Sequence, residues 1–171
     1  MRWIVRAGFL GLLLLSGCAH HSGSGLKPGV ATLPEVLQTM GTPAMRWDDP
    51  DGRVQLAYPR GPAGTQTFMV FLTPAGRLDR IEPVLVPAQF ARIENGKSTP
   101  EEVLRLLGPS DPSGTVYFKR RDELVWEWRY CDSWNSVAKF EVLFDATTRI
   151  VRTSYSIPDY PPGDFVPGCS R

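Results

Sequence analysis

The stretch GVATLPEVLQTMGTP, Gly29 to Pro43, has a near-copy 67 residues later in GKSTPEEVLRLLGPS, Gly96 to Ser110. At that constant offset Gly29 matches Gly96, Thr32 matches Thr99, Glu35 matches Glu102, Val36-Leu37 matches Val103-Leu104, and Gly41 matches Gly108. Each copy specifies a helix. Thr32 and Thr99 stand three residues before Glu35 and Glu102, the spacing of a capping box that satisfies free amides at a helix start. Pro100 falls at the first helical position, where a missing amide hydrogen costs nothing. Val36, Leu37 and Met40 form one apolar stripe and Val103, Leu104 and Leu107 the other. Gly41 and Gly108 end the helices, and Pro43 and Pro109 prevent a restart. Helices of about eight residues do not persist alone in water, so each must lie on a sheet.

Strand signals follow both copies. After the first come Arg53 to Tyr58, Thr67 to Thr73 and Arg77 to Ile81; after the second come Tyr117 to Arg120, Leu124 to Tyr130, Val137 to Asp145 and Arg149 to Ile157. At an offset now of 72, Phe68, Val70, Leu72, Leu78 and Arg80 match Phe140, Val142, Phe144, Ile150 and Arg152. Turns are expected at Asp51-Gly52, Pro74-Ala75-Gly76 and Arg121-Asp122. The fold expected is α+β: two tandem units, each a short helix or helix pair packed on a three- to four-stranded antiparallel sheet. Pro87 to Ile93 adds a short helix leading into the second unit.

The first seventeen residues read as a secretory signal. Arg2 and Arg6 give a positive start, and Ala7 to Leu15 is apolar but shorter than the roughly 20 residues that span a bilayer. Leu15-Ser16-Gly17-Cys18 resembles the bacterial lipobox, in which the cysteine is acylated through its sulfur and becomes the new N-terminus. The segment after it, His20 to Gly29, is rich in serine and glycine, which expects a flexible tether. It offers no further ligands to make a metal site of His20 and His21. Ala19 rather than Asp after the cysteine resembles the sorting preference of outer-membrane lipoproteins. The expected boundaries are 1–17 for the signal peptide, 18–27 for the tether, 28–86 and 87–158 for the two units, and 159–171 for a proline-rich tail.

Without its signal the chain keeps 17 of the 19 basic residues and all 18 acidic ones, a formal charge of −1. That balance argues against a nucleic-acid partner, which calls for a basic excess. Sixteen prolines and sixteen glycines mark many turns and short elements and disfavour a helical bundle.

Phe90 to Asp111, FARIENGKSTPEEVLRLLGPSD, resembles the signature of the SmpA/OmlA (BamE-like) outer-membrane lipoproteins. Its elements are a short helix, a glycine turn, a threonine-capped helix ending Leu-Gly-Pro, an aromatic-rich strand, and a later strand closing at Phe144-Asp145. The resemblance covers about 65 residues well and the first unit more loosely. It implies a helix pair on a three-stranded antiparallel sheet and a role in β-barrel assembly or envelope integrity. Tandem copies of the fold resemble the secreted β-lactamase-inhibitor proteins. Members that serve as assembly factors typically have one unit; this chain reads as two.

No histidine occurs from residue 22 to 171, so the folded part lacks the imidazole that a Ser-His-Asp or Cys-His nucleophile needs. Asp48-Asp49 and Glu101-Glu102 could serve as a glycosidase pair, but Glu101-Glu102 lies in a first helical turn, where the dipole favours negative charge. Asp48 to Gly52 fails as a calcium loop, since Trp47 stands at the first ligand position and no glutamate at the twelfth; a hairpin turn fits better. On the strand through VWEWRYC, Trp126, Trp128 and Tyr130 share one face and Glu127 and Arg129 the other. The aromatic face is expected to be core beneath the second helix. Cys131 and Cys169 are the remaining cysteines, and in an oxidising compartment a disulfide between them is expected, worth ~4 kcal/mol for a loop of about 38 residues on chain entropy alone.

These readings expect a non-enzymatic lipoprotein held at the periplasmic face of the outer membrane by lipid on Cys18. It would bind another envelope protein, with no cofactor, no metal, no small-molecule substrate and no nucleic acid. What the two copies share explains folding, so binding is expected where they differ. Those places are the hairpin around Arg120-Arg121-Asp122 and the loop from Cys131 to Ser136, with Trp134, Arg121 and Arg120 as contact residues. The alternatives are a protein inhibitor of a periplasmic or secreted enzyme, and a cell-wall binder. Replacing Cys18→Ala is expected to move the protein from the membrane fraction to the soluble periplasm, or to stall its processing. Unchanged fractionation with normal cleavage contradicts the anchor.

Overall fold

A computed structural model describes residues 22–60, 64–159 and 169. The fold is α+β, with short α-helices α1 (Leu33–Met40), α2 (Pro87–Phe90) and α3 (Pro100–Leu107) and two four-stranded antiparallel sheets. The first sheet runs in the order β1 (Met45–Asp48), β2 (Val54–Arg60), β3 (Gln66–Leu72), β4 (Leu78–Pro83), and the second in the order β5 (Val116–Phe118), β6 (Glu123–Cys131), β7 (Val137–Asp145), β8 (Val151–Pro158). The repeated helices begin and end where their caps place them. The Thr32 amide donates to Glu35 Oε2 at 2.7 Å and the Thr99 amide to Glu102 Oε2 at 2.8 Å. Gly41 and Gly108 end them with positive φ of 82° and 77°.

One buried cluster gathers Val36 and Met40 of α1 with Leu56, Tyr58, Val70, Leu72 and Leu78. Another gathers Val103 and Leu107 of α3 with Trp128, Tyr130, Phe140, Val142 and Phe144. The hydrogen bonds repeat as well. Gly29 donates its amide to the Leu78 carbonyl (2.7 Å), and Leu78 donates its own to Ala31; Gly96, Val151 and Ser98 repeat the pattern. The Tyr58 hydroxyl donates to the Gly41 carbonyl and the Trp128 indole to the Gly108 carbonyl, both at 3.2 Å. In each half an aromatic strand residue thus holds the end of a helix.

The structure departs from the sequence reading at four points. First, β1 is an additional strand. Its four residues pair with β2, Trp47 opposite Gln55. Second, the strand expected over Tyr117 to Arg120 is Val116–Phe118, and Lys119–Arg121 forms a 3-10 turn closed by Asp122 at φ 49°. Third, Leu78 corresponds to Val151 rather than Ile150, because Leu72 pairs Leu78 while Phe144 pairs Val151, and the second turn is one residue longer.

Fourth, Gly23 and Leu26 lie within the tether expected over 18–27 but pack on the fold. Gly23 is buried, and a Cβ there would lie 2.6 Å from Ile81 Cδ1; Leu26 packs against the first cluster. The repeat reaches upstream of Gly29. Leu26 donates to the Gly23 carbonyl as Ile93 does to Phe90, both at 3.1 Å, and Ala31 to Lys27 as Ser98 does to Glu94, both at 2.9 Å. Gly23 stands where the other half has Phe90, whose ring stacks on Phe140 at 4.0 Å.

Helix α3 touches both sheets. While Val103 and Leu107 enter the second cluster, the Trp47 indole donates to Glu101 Oε1 (2.7 Å), Gln55 Nε2 to the Arg105 carbonyl (2.6 Å), and Arg105 Nη1 to Asp49 Oδ1 (2.8 Å). A Cβ on Gly108 would meet Thr67 Cγ2 at 2.8 Å and Ala57 Cβ at 3.4 Å, whereas one on Gly41 would meet nothing within 4 Å. Both glycines have a backbone that other residues adopt only at a cost of about 1–3 kcal/mol. Gly41→Ala is expected to cost that alone. Gly108→Ala should cost about 1–3 kcal/mol more through overpacking against the first sheet. Urea denaturation of the two variants checks the difference, and equal midpoints contradict the close approach.

Candidate functional site

Strand alternation decides what the second sheet offers to a partner. Trp128 and Tyr130 lie in the buried cluster and Trp126 packs against it, so this aromatic face is core. The opposite face carries Val125, Glu127 and Arg129 on β6 and Lys139, Glu141 and Leu143 on β7, flanked by Val116 and Phe118 at one edge and Tyr155 at the other. With the turn at Ser113-Gly114 these residues line an open groove of about 350 Å³.

The floor of this groove is a compensated charge network. Lys139 Nζ lies 3.2 Å from Glu127 Oε2 and 3.5 Å from Asp159 Oδ1, and Arg129 Nε donates to Asp159 Oδ2 at 3.0 Å. Glu127 is only 7% exposed, and Gly114 lies so close over it that a Cβ would stand 2.7 Å from its own. Burial works against the Lys139 charge, but the Glu127 and Asp159 carboxylates outweigh it and raise its pKa. The rim is apolar: Val116, Phe118 and Tyr155 are all exposed.

The contact residues expected from sequence fall in two places: Arg120 and Arg121 share one turn, with Arg121 lining the groove, and Trp134 stands on a separate loop. Arg121 and Trp134 flank opposite ends of β6, whose nine residues separate them by roughly 27 Å. Arg121 is engaged within the fold, Nη2 at 2.8 Å from Glu123 Oε1 and its guanidinium 4.3 Å from the Phe118 ring. Arg120 is exposed on the same turn. Trp134 is 86% exposed, on a loop that Asp132 closes by accepting from the Trp134 and Ser136 amides. The loop is further held by the tail. Cys131 and Cys169 are disulfide-bonded with Cα atoms 6.0 Å apart, and the Cys169 amide donates to the Asn135 carbonyl. The hairpin before β6 is less polar than its arginines suggest, since Val116, Tyr117 and Phe118 are all exposed. Cys18 lies outside the described residues.

The acidic pairs have structural partners. Asp48 pairs with Arg46 at 2.6 Å and Asp49 with Arg105 at 2.8 Å; Glu101 accepts from Trp47, and Glu102 caps α3. The groove between α3 and the first sheet, about 530 Å³, is lined by charges such as Arg80, Glu82, Glu94 and Lys97. Arg80 pairs with Glu82 and Lys97 with Glu94, so it reads as a polar seam. Among the described residues no group of three or more His, Cys, Asp or Glu side chains is gathered for a metal. No helix there is long and apolar enough to cross a membrane. Comparison with family models, characterised proteins and solved structures finds no match.

The Arg121 turn is tied to the rest of the sheet through Asp145. Its carboxylate accepts from the Thr147 and Thr148 amides at 3.1 and 2.7 Å and from Arg152 Nη2 at 2.6 Å, while Arg152 Nη1 donates to the Arg121 carbonyl. The Thr148 amide first, then Arg152, lowers the Asp145 pKa from 3.8 to about 2. A carboxyl depressed on folding stabilises the fold above its unfolded value, and that contribution disappears as pH falls through the folded value. Asp145→Asn is therefore expected to lower the denaturation midpoint above about pH 4, with the difference from the parent shrinking toward about pH 2. A difference independent of pH contradicts the assignment.

Proposed function

We propose that this chain is a tandem of two helix-on-sheet units serving as a non-enzymatic, lipid-anchored interaction module of the outer membrane. Its docking face is the outer side of the second sheet. One observation carries the reading. The outer side of the first sheet is occupied by α3, through Trp47–Glu101, Gln55–Arg105 and the Gly108 approach, whereas the corresponding side of the second sheet is an open groove. Pairing registers make Trp47, Gln55 and Ala57 correspond to Val116, Val125 and Glu127. A scaffold that receives a helix on this face in one unit supports a helix of a partner envelope protein on the other.

The chemistry of the face favours docking over sugar binding. Its tryptophans point into the core, and its centre is a charge network rather than an aromatic platform. The inhibitor alternative, in which tandem copies present one concave surface, is less well supported because α3 covers the first sheet. The assembly role implied by the BamE-like resemblance belongs to this proposal.

The test places a photo-crosslinker at Leu143 in intact cells and follows the captured envelope protein. Phe118→Asp with Tyr155→Asp, both on the exposed rim, is expected to abolish the crosslink while the circular dichroism of the purified chain stays the same. A captured set unchanged by the double substitution overturns the docking face. Turnover of a cell-wall substrate by the purified protein overturns the class.

A further inference from the structure

The two repeated helices have different neighbours, and their outward faces differ accordingly. In the second unit Glu94, Lys97 and Arg105 line the seam against the first sheet and Glu101 accepts from Trp47. At the offset of 67 the first unit has Lys27, Val30, Gln38 and Pro34 at those positions. With Arg92 and Glu102 of the same seam, which correspond to Gly25 and Glu35, six charges become two, Lys27 and Glu35. Lys27, Val30, Pro34 and Gln38 are all exposed, Val30 at 61%, and Leu37 beside them at 37%. This face, uncovered among the described residues, is less charged than the counterpart that packs inside the protein, the reverse of what water alone asks of a surface.

Chain length says what lies against it. Gly23, the second of the described residues, is buried and bonded as Phe90 is in the second unit. From Cys18 to Gly23 is five residue steps, and a fully extended chain advances at most about 3.6 Å per step, about 18 Å in all. Gly23 belongs to the same layer as α1, since a Cβ there would meet Met40 Sδ at 3.1 Å.

We infer that the α1 layer rests on the membrane surface through Val30, Pro34 and Leu37, with Lys27 beside them toward the phosphates. The inference rests on the lipid anchor at Cys18. The docking face of the second sheet is then held on the far side, three interlayer spacings or roughly 30 Å from α1. The short tether sets the orientation: lipid and docking face are at opposite ends of the stack, so a partner helix reaches the face from the periplasm.

The full lipidated protein is incorporated into phosphatidylethanolamine–phosphatidylglycerol vesicles carrying lipids brominated near the headgroup. Tryptophan is introduced at exposed positions, as Val30→Trp or Tyr155→Trp, and emission is corrected for the parent chain. Val30→Trp is expected to be quenched severalfold more strongly than Tyr155→Trp. A twelve-residue Gly/Ser insertion after His21 should reduce that contrast while the protein stays with the vesicles. Mass spectrometry reads the lipid independently: a chain without lipid on Cys18 overturns the anchor and this orientation with it. Lipidated protein with equal or reversed quenching overturns the orientation alone. Concentration-dependent self-association in detergent that shields Val30→Trp assigns the α1 face to a second copy and also overturns it.

Discussion

Gly108 is held from two sides. Its carbonyl accepts the buried Trp128 indole of the second sheet, while its Cα, without a side chain, sits against Thr67 and Ala57 of the first. A residue with a Cβ could satisfy one contact but not both. Helix α3 is too short to persist unaided, and it gains its stability by burying Val103 and Leu107 on one side while Glu101 and Arg105 meet polar partners on the other. This one helix thus joins the two halves.

The same frame leaves its two end faces to diverge. Where α1 has no sheet above it among the described residues, Lys97, Glu101 and Arg105 of the other half are replaced by Val30, Pro34 and Gln38. Where the second sheet has no helix above it among the described residues, the small or apolar Ala57, Thr67 and Met69 give way to Glu127, Lys139 and Glu141. A helix could not approach those charged positions as closely as α3 approaches the first sheet. The outer side of the second sheet is therefore a groove with an apolar rim rather than a copy of the internal seam.

The Glu127–Lys139–Asp159–Arg129 network is weak evidence for stability, because desolvation offsets much of the attraction between partly buried charges. It acts in geometry instead. It holds the centre of the face in one arrangement, and it ties Asp159, at the start of the tail, back to the sheet. The Cys131–Cys169 bond then closes the tail onto the loop that displays Trp134.

Much of this was legible in the residues. The helix limits, the two glycine stops, the cysteine pair and the separation of Trp126, Trp128 and Tyr130 from Glu127 and Arg129 all depend on neighbours within a few positions or on strand alternation. Even the register was nearly readable, slipping by one residue where the second turn is longer. Other features were not legible, because they depend on contacts made across the chain. β1 depends on its pairing with β2, and residues 22–27 are composed like a linker, yet Gly23 and Leu26 pack, Gly23 with a φ of 72° that side chains rarely adopt. Trp47 and Glu101, 54 residues apart, bring α3 onto the first sheet. Caps and alternation set each element by itself; which face of each sheet stayed open was decided only when one short helix had to satisfy two sheets at once.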